Sequence, residues 1–93
     1  MTEQTRTVLI TNRRGLHARA SAKFVTLAST QPCEVRVGKD GSTVTGTSIM
    51  GLMMLSAGIG TTITVAAKGR EAEAAMNAIT ELLANKFGEE EAG

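Results

Sequence analysis

Aromatic side chains are nearly missing from this chain, which has no tryptophan, no tyrosine and two phenylalanines in 93 residues. Its core must therefore be filled by Val, Ile, Leu, Met and Ala, and the sequence argues against the aromatic platforms on which single-stranded nucleic acid stacks. One cysteine, Cys33, cannot form an internal disulfide, and beside a single histidine it leaves no Cys/His set of the spacing that holds zinc. Cys33 reads as a buried strand residue, since free cysteine behaves as a small hydrophobe. No apolar run approaches the ~18 residues of a membrane span, and the polar "MTEQTRT" lacks the apolar stretch of a signal peptide. A cytoplasmic protein without membrane insertion is expected.

Acidic residues are also missing from one part of the chain. Between Glu3 and Glu34 there are none, while Arg6, Arg13, Arg14, Arg19 and Lys23 all fall there. The tail "GEEEAG" carries compensating negative charge, so the net charge of +1 hides a basic sector suited to an anionic ligand or an acidic partner surface. The length fits one domain over 1–93 with a modest core, and the acidic residues from about 89 onward read as a frayed, solvated tail.

Periodicity supplies the elements. "TVLIT" (Thr7 to Thr11) is rich in β-branched residues and predicts a first strand, ended by "NRRG". Ala20, Phe24, Leu27 and Ala28 share a helical face, placing a helix at about Ala18 to Ser29 that Pro32 keeps from running on. "CEVRV" alternates strictly, and the Asp-Gly turn in "GKDG" followed by "STVTG" predicts a hairpin over Glu34 to Thr45. "TTITVAA" repeats the alternation. Ala72, Ala75, Met76, Ile79, Leu82 and Leu83 mark one face of a last helix, with Gly88 as its stop. One-sided strands indicate an antiparallel sheet with helices on one face and water on the other, an α+β fold in the order β-α-β-β-α-β-α.

"TSIMGLMMLSAGIG" does not fit a simple core, because Ile49, Met50, Leu52, Met53, Met54 and Leu55 cover nearly every direction around a helix. Ser48 is a suitable N-cap and Gly58 a suitable stop for about two turns. The methionines can be read as fillers of a core short of aromatics. Alternatively Met50, with Met53 or Met54, stands exposed as an apolar docking patch. Gly51, inside so short a helix, would allow another chain to come close.

His17 precedes the first helix, so the unpaired amides of Ala18, Arg19 and Ala20 open toward its ring, a position that favours negative charge. Helix amides and arginines around an imidazole disfavour its proton, and the neutral ring is the nucleophilic form. That suits a histidine which receives a phosphoryl group, with Arg19 pairing with its oxygens and Gly15 letting the loop turn tightly beneath the ring. A histidine serving only as a helix cap, or a phosphate site without covalent transfer, fits the same spacing. General acid–base catalysis fits it less well, because the segment contains no carboxylate to orient the ring.

At these residues the chain resembles the HPr family, the histidine-containing phosphocarriers of the sugar phosphotransferase system and their nitrogen-branch relatives. "GLHARAS" is similar to the family's active-site motif Gly-Ile/Leu-His-Ala/Thr-Arg-Pro-Ala/Ser, "GTSIMGLMMLSAG" resembles its regulatory-serine region, and the element order agrees. The resemblance covers nearly the whole chain. It implies an open-faced β-sandwich of four antiparallel strands with three helices on one face. His17 would be phosphorylated on its δ nitrogen by phosphorylated enzyme I, which takes the group from phosphoenolpyruvate, and would pass it to a IIA domain. Arg19 would assist the transferring phosphoryl.

Ser48 matches the serine modified in some bacteria by HPr kinase/phosphorylase, although an N-cap role also accounts for it. Met50, Met53 and Met54, with Lys23, would belong to the docking surface. The resemblance implies a monomer with no cofactor and no metal that turns nothing over by itself. A nitrogen-branch carrier and a regulatory module that carries no phosphate are alternatives within it; a nucleic-acid-binding domain has only the basic sector in its favour. The chain departs from the motif at Ala20, where the family usually has proline, which restores an amide donor and gives up some rigidity.

Overall fold

The computed structural model describes residues 3–89. In chain order these form β1 (Glu3–Leu9), α1 (Ala18–Ser29), β2 (Cys33–Lys39), β3 (Ser42–Thr45), α2 (Ile49–Met54), β4 (Thr62–Gly69), α3 (Ala72–Ala84) and a 3₁₀ turn at Lys86–Gly88. The strands pair antiparallel in the order β1-β4-β2-β3. Val35 and Val37 on β2 and Ile63, Val65 and Ala67 on β4 are buried under the helices, while Glu34, Arg36, Thr62 and Thr64 face out. This is the open-faced sheet with one wet side that the alternation implied.

The hairpin turns at Asp40 and Gly41, whose φ values of 50° and 84° are both left-handed. Lys39 pairs with Ser42 across this two-residue turn. Two positive φ values match the right-handed twist of the flanking strands, which is why Asp-Gly marks such turns.

The first strand begins earlier than its hydrophobicity suggests. Thr7 to Thr11 was the expected span, but Glu3 already faces Lys68 and the ladder ends at Leu9. Polar residues on the helix-facing side hide the pattern. Arg6 lies there, donating from Nη2 to Asn77 Oδ1 at 2.9 Å and from Nη1 to Thr80 Oγ1 at 3.3 Å, both on α3. Its guanidinium is thus committed to α3.

The helices fill the covered side. Phe24, Ala20 and Ala28 of α1, Leu52 of α2, and Ala75, Met76, Ile79 and Leu83 of α3 meet the valines and isoleucines of the sheet in one apolar cluster. The third helix stops at Ala84, short of the expected Gly88. Lys86 and Phe87 turn left-handed, with φ of 54° and 57°, because Phe87 is buried and must point back into the core. Likewise α2 stops before Gly58, with Ser56 left-handed at φ 55°. No helix among the described residues is long and apolar enough to cross a membrane.

Candidate functional site

The loop between β1 and α1 is fastened from both ends. After β1, Ile10 is buried and exchanges hydrogen bonds with the loop before β4: its amide donates to Thr61 O at 2.8 Å and its carbonyl accepts from Gly60 N at 2.9 Å. Asn12, 1% exposed, donates from Nδ2 to Gly15 O at 2.8 Å and closes a turn that leaves Arg13 and Arg14 on the surface. Leu16 N donates to Ala57 O at 2.9 Å. Gly15 fits because its φ is +63° and a Cβ there would overlap Ala57 O and come within 2.8 Å of Gly58 Cα. The loop therefore requires glycine here, and the crowding comes from the loop after α2.

This loop delivers His17 to the N-cap of α1 in extended conformation, φ −75° and ψ 179°. Its Nδ1 accepts from Arg19 N at 3.3 Å. The first backbone bond of the helix runs from Ser21 N to His17 O at 2.8 Å, so the amides of Ala18, Arg19 and Ala20 all precede the helical ladder. The cap reading of His17 is therefore realised, and it leaves the imidazole beside the amides of the first turn. The ring is partly exposed, with 18% of the side chain accessible.

The other ring nitrogen has a partner that its own segment does not supply. His17 Nε2 lies in hydrogen-bond contact with Glu89 Oε2, 72 residues later in the chain. The second oxygen of the same carboxylate accepts from Asn12 Nδ2 at 3.2 Å. The sequence assigned residue 89 to a solvated tail; instead its side chain is only 13% exposed, while residues 90–93 lie outside the described residues. Local spacing could not reveal Glu89, because the left-handed turn at Lys86 and Phe87 reverses the chain beyond α3.

These contacts define the ring chemically. With Nδ1 accepting an amide hydrogen, the proton of the neutral imidazole belongs on Nε2, where a carboxylate accepts it. The Nδ1 lone pair then faces the head of a helix, among amide donors and the positive end of its dipole. A nucleophile there places any acquired oxyanion next to donors already in position.

The remaining candidates surround this centre unequally. Arg19 is exposed on the first turn of α1. Lys23 is one turn further on, but its amine donates to Phe87 O at 2.6 Å, so it ties α1 to the C-terminal turn as well as lining the surface. Ser48 caps α2, its Oγ accepting from Gly51 N at 2.9 Å. Met50 and Met54 are 69% and 77% exposed and Met53 is also exposed, whereas Leu52 and Leu55 take the buried positions. The filling role expected of these methionines falls instead to Met76. Gly51 does not open α2 to another chain: a Cβ there would meet Val44 of β3 and Ser48, both at 3.1 Å.

Known proteins resemble this chain over most of its length. A family model described as the PTS HPr component phosphorylation site matches residues 4–85. Phosphocarrier protein HPr of Pseudomonas aeruginosa is 49% identical over 85 residues, covering 90% of this chain and 94% of the relative. Phosphocarrier protein NPr of Shewanella violacea is 43% identical over 89 residues, covering 96% of this chain and 98% of the relative. Among solved structures, HPr from Thermoanaerobacter tengcongensis superposes with a TM-score of 0.90 at 40% identity, covering 95% of this chain and 99% of the other. Two motifs, an open-faced sheet, a helix-capping histidine and similarity over most of the chain converge on one conclusion: the chain belongs to the HPr family of phosphocarrier proteins.

Proposed function

We propose that this protein carries a phosphoryl group on Nδ1 of His17, taken from phosphorylated enzyme I and delivered to a IIA domain in the cytoplasm. The observation that supports this best is the His17 cap. The same nitrogen that accepts the Arg19 amide hydrogen at 3.3 Å is the nucleophile, so an N–P bond formed there would exchange one cap hydrogen bond for several from the amides of residues 18–20 to phosphate oxygens. Arg19, exposed on the first turn of α1, adds a cation that can pair with phosphate oxygens.

Docking is assigned to the exposed face of α2, Met50, Met53 and Met54, together with exposed Lys23 on α1; exposed apolar side chains and a cation suit an acidic partner with an apolar centre. Ser48 is proposed as a regulatory phosphorylation site for an HPr kinase/phosphorylase. A phosphate there would add about two negative charges next to that patch and repel an acidic partner. A Ser48→Asp protein should accept phosphate from enzyme I more slowly than wild type; an unchanged rate would count against regulation at this serine.

The direct test is incubation with phosphoenolpyruvate and enzyme I, followed by intact-mass measurement. An acid-labile mass increase that disappears in His17→Ala is the expected result. A stable modification, or one that survives in His17→Ala, would reject the assignment. The similarity to NPr supports a second reading, a nitrogen-branch carrier, with the same chemistry at His17 and a different acceptor. Transfer rates to purified sugar-branch and nitrogen-branch IIA domains decide between the two.

A further inference from the structure

We propose that Glu89, held by Asn12, is the positioning residue for phosphoryl transfer at His17; this rests on His17 being the phosphoryl acceptor. Three observations converge. The Glu89 carboxylate contacts Nε2, the nitrogen opposite the one that faces the helix amides. Asn12, buried and anchored to Gly15 O at 2.8 Å, holds the other carboxylate oxygen at 3.2 Å. The turn that carries Glu89 is itself fixed, by burial of Phe87 and by the Lys23 amine on its carbonyl at 2.6 Å.

This arrangement supplies what the transfer step needs. In the step, the Nδ1 lone pair forms a bond to the phosphorus of the donor's phosphohistidine. The donor's P–N bond breaks, and its electron pair returns to the donor nitrogen. The proton on Nε2 stays in place, so the imidazole of His17 gains positive charge as the N–P bond forms. A carboxylate already hydrogen-bonded to that proton offsets the charge without rearrangement, and beforehand it excludes the tautomer whose proton would occupy Nδ1. On delivery the N–P electron pair returns to Nδ1, and the same contact retains the proton.

The test uses the full chain with nitrogen-labelled histidine. In wild type, the ring resonances of His17 should show a proton on Nε2 and a lone pair on Nδ1. In Glu89→Ala the two tautomers should mix, and kcat for phosphate acceptance from enzyme I should fall roughly ten- to hundredfold with KM unchanged, by analogy with the loss of a carboxylate that orients a metal-binding histidine. Glu89→Gln, which keeps an acceptor oxygen without the charge, should restore the tautomer but only part of the rate. A wild-type ring protonated on Nδ1, an unchanged or faster Glu89→Ala, or an effect on KM alone would overturn the proposal. If wild-type His17 took no phosphate at all, the carrier reading would fall, while the ring resonances would still decide the Glu89 contact.

Discussion

The amine of Lys23 donates a 2.6 Å hydrogen bond to the carbonyl of Phe87, 64 residues further along the chain. It joins the second turn of α1 to the left-handed turn after α3, and so joins the helix that holds His17 to the segment that holds Glu89. Phe87→Ala should destabilise the protein by about 3–5 kcal/mol, the range for emptying a buried aromatic site. Lys23→Met should cost only about 1 kcal/mol, since the bond is half solvated and the alkyl stem remains. Urea unfolding midpoints would check the ranking.

Gly15 has no room for a side chain. Its left-handed φ of +63° already disfavours alanine, and a Cβ would overlap the backbone of Ala57. Backbone cannot yield as a flexible side chain can, so Gly15→Ala should lower stability by about 3 kcal/mol or more. The loop carrying His17 should shift with it, which thermal unfolding and amide exchange at Leu16 would detect.

Removing the cap at Ser48 should be milder. Ser48→Ala leaves the Gly51 amide, now 2.9 Å from Oγ, to find water, at a cost of about 1 kcal/mol. Phosphate acceptance at His17 should be unaffected. Calorimetry together with the phosphorylation assay separates this structural role of the serine from a regulatory one.

Ala20 is the chain's departure from the family motif, and its amide precedes the first helical bond, which runs from Ser21. Proline at that position therefore breaks no backbone ladder. Ala20→Pro should change the rate of phosphate acceptance by less than about tenfold, or ~1.4 kcal/mol in the barrier. Stopped-flow phosphorylation of the two proteins gives the comparison.

Cys33 should be a slow nucleophile. Cys33 starts β2 only partly buried, where the sequence suggested full burial; that partial burial pushes its thiol up from the ordinary value of 9.0, and the carboxylate of Glu71 adds to the shift. A raised pKa means less thiolate at any given pH, so alkylation at pH 8 should be slower in the folded protein than in urea. Glu71→Gln removes the smaller of the two causes and should speed alkylation modestly. Rates with iodoacetamide followed by mass spectrometry test both statements.

Short-range physics accounts for what could be read directly from the residues. Helix α1 begins at Ala18 and ends at Ser29 as expected, because its apolar spacing, absence of internal Gly or Pro and nearby Pro32 are all local. The Asp40-Gly41 turn and the alternation of Val35 and Val37 are equally self-contained. The same holds for His17 beside the first amides of a helix, since a cap and its helix are neighbours in sequence. Strand β1 was only partly legible, because Gln4 and Arg6 occupy helix-facing positions and break the hydrophobic pattern; their pairing is decided by β4, which lies more than fifty residues away.

Local sequence was enough to place His17 at the head of its helix, since a cap and the helix it starts lie within a few positions of one another. What meets the far side of the ring was settled by the packing of the whole chain. The partner on Nε2 comes from Glu89, across 72 residues, and reaches the ring because burying Phe87 bends the chain back where helical periodicity alone would have let it run into solvent. Contacts of that kind arise from packing of the whole core, and no local spacing encodes them.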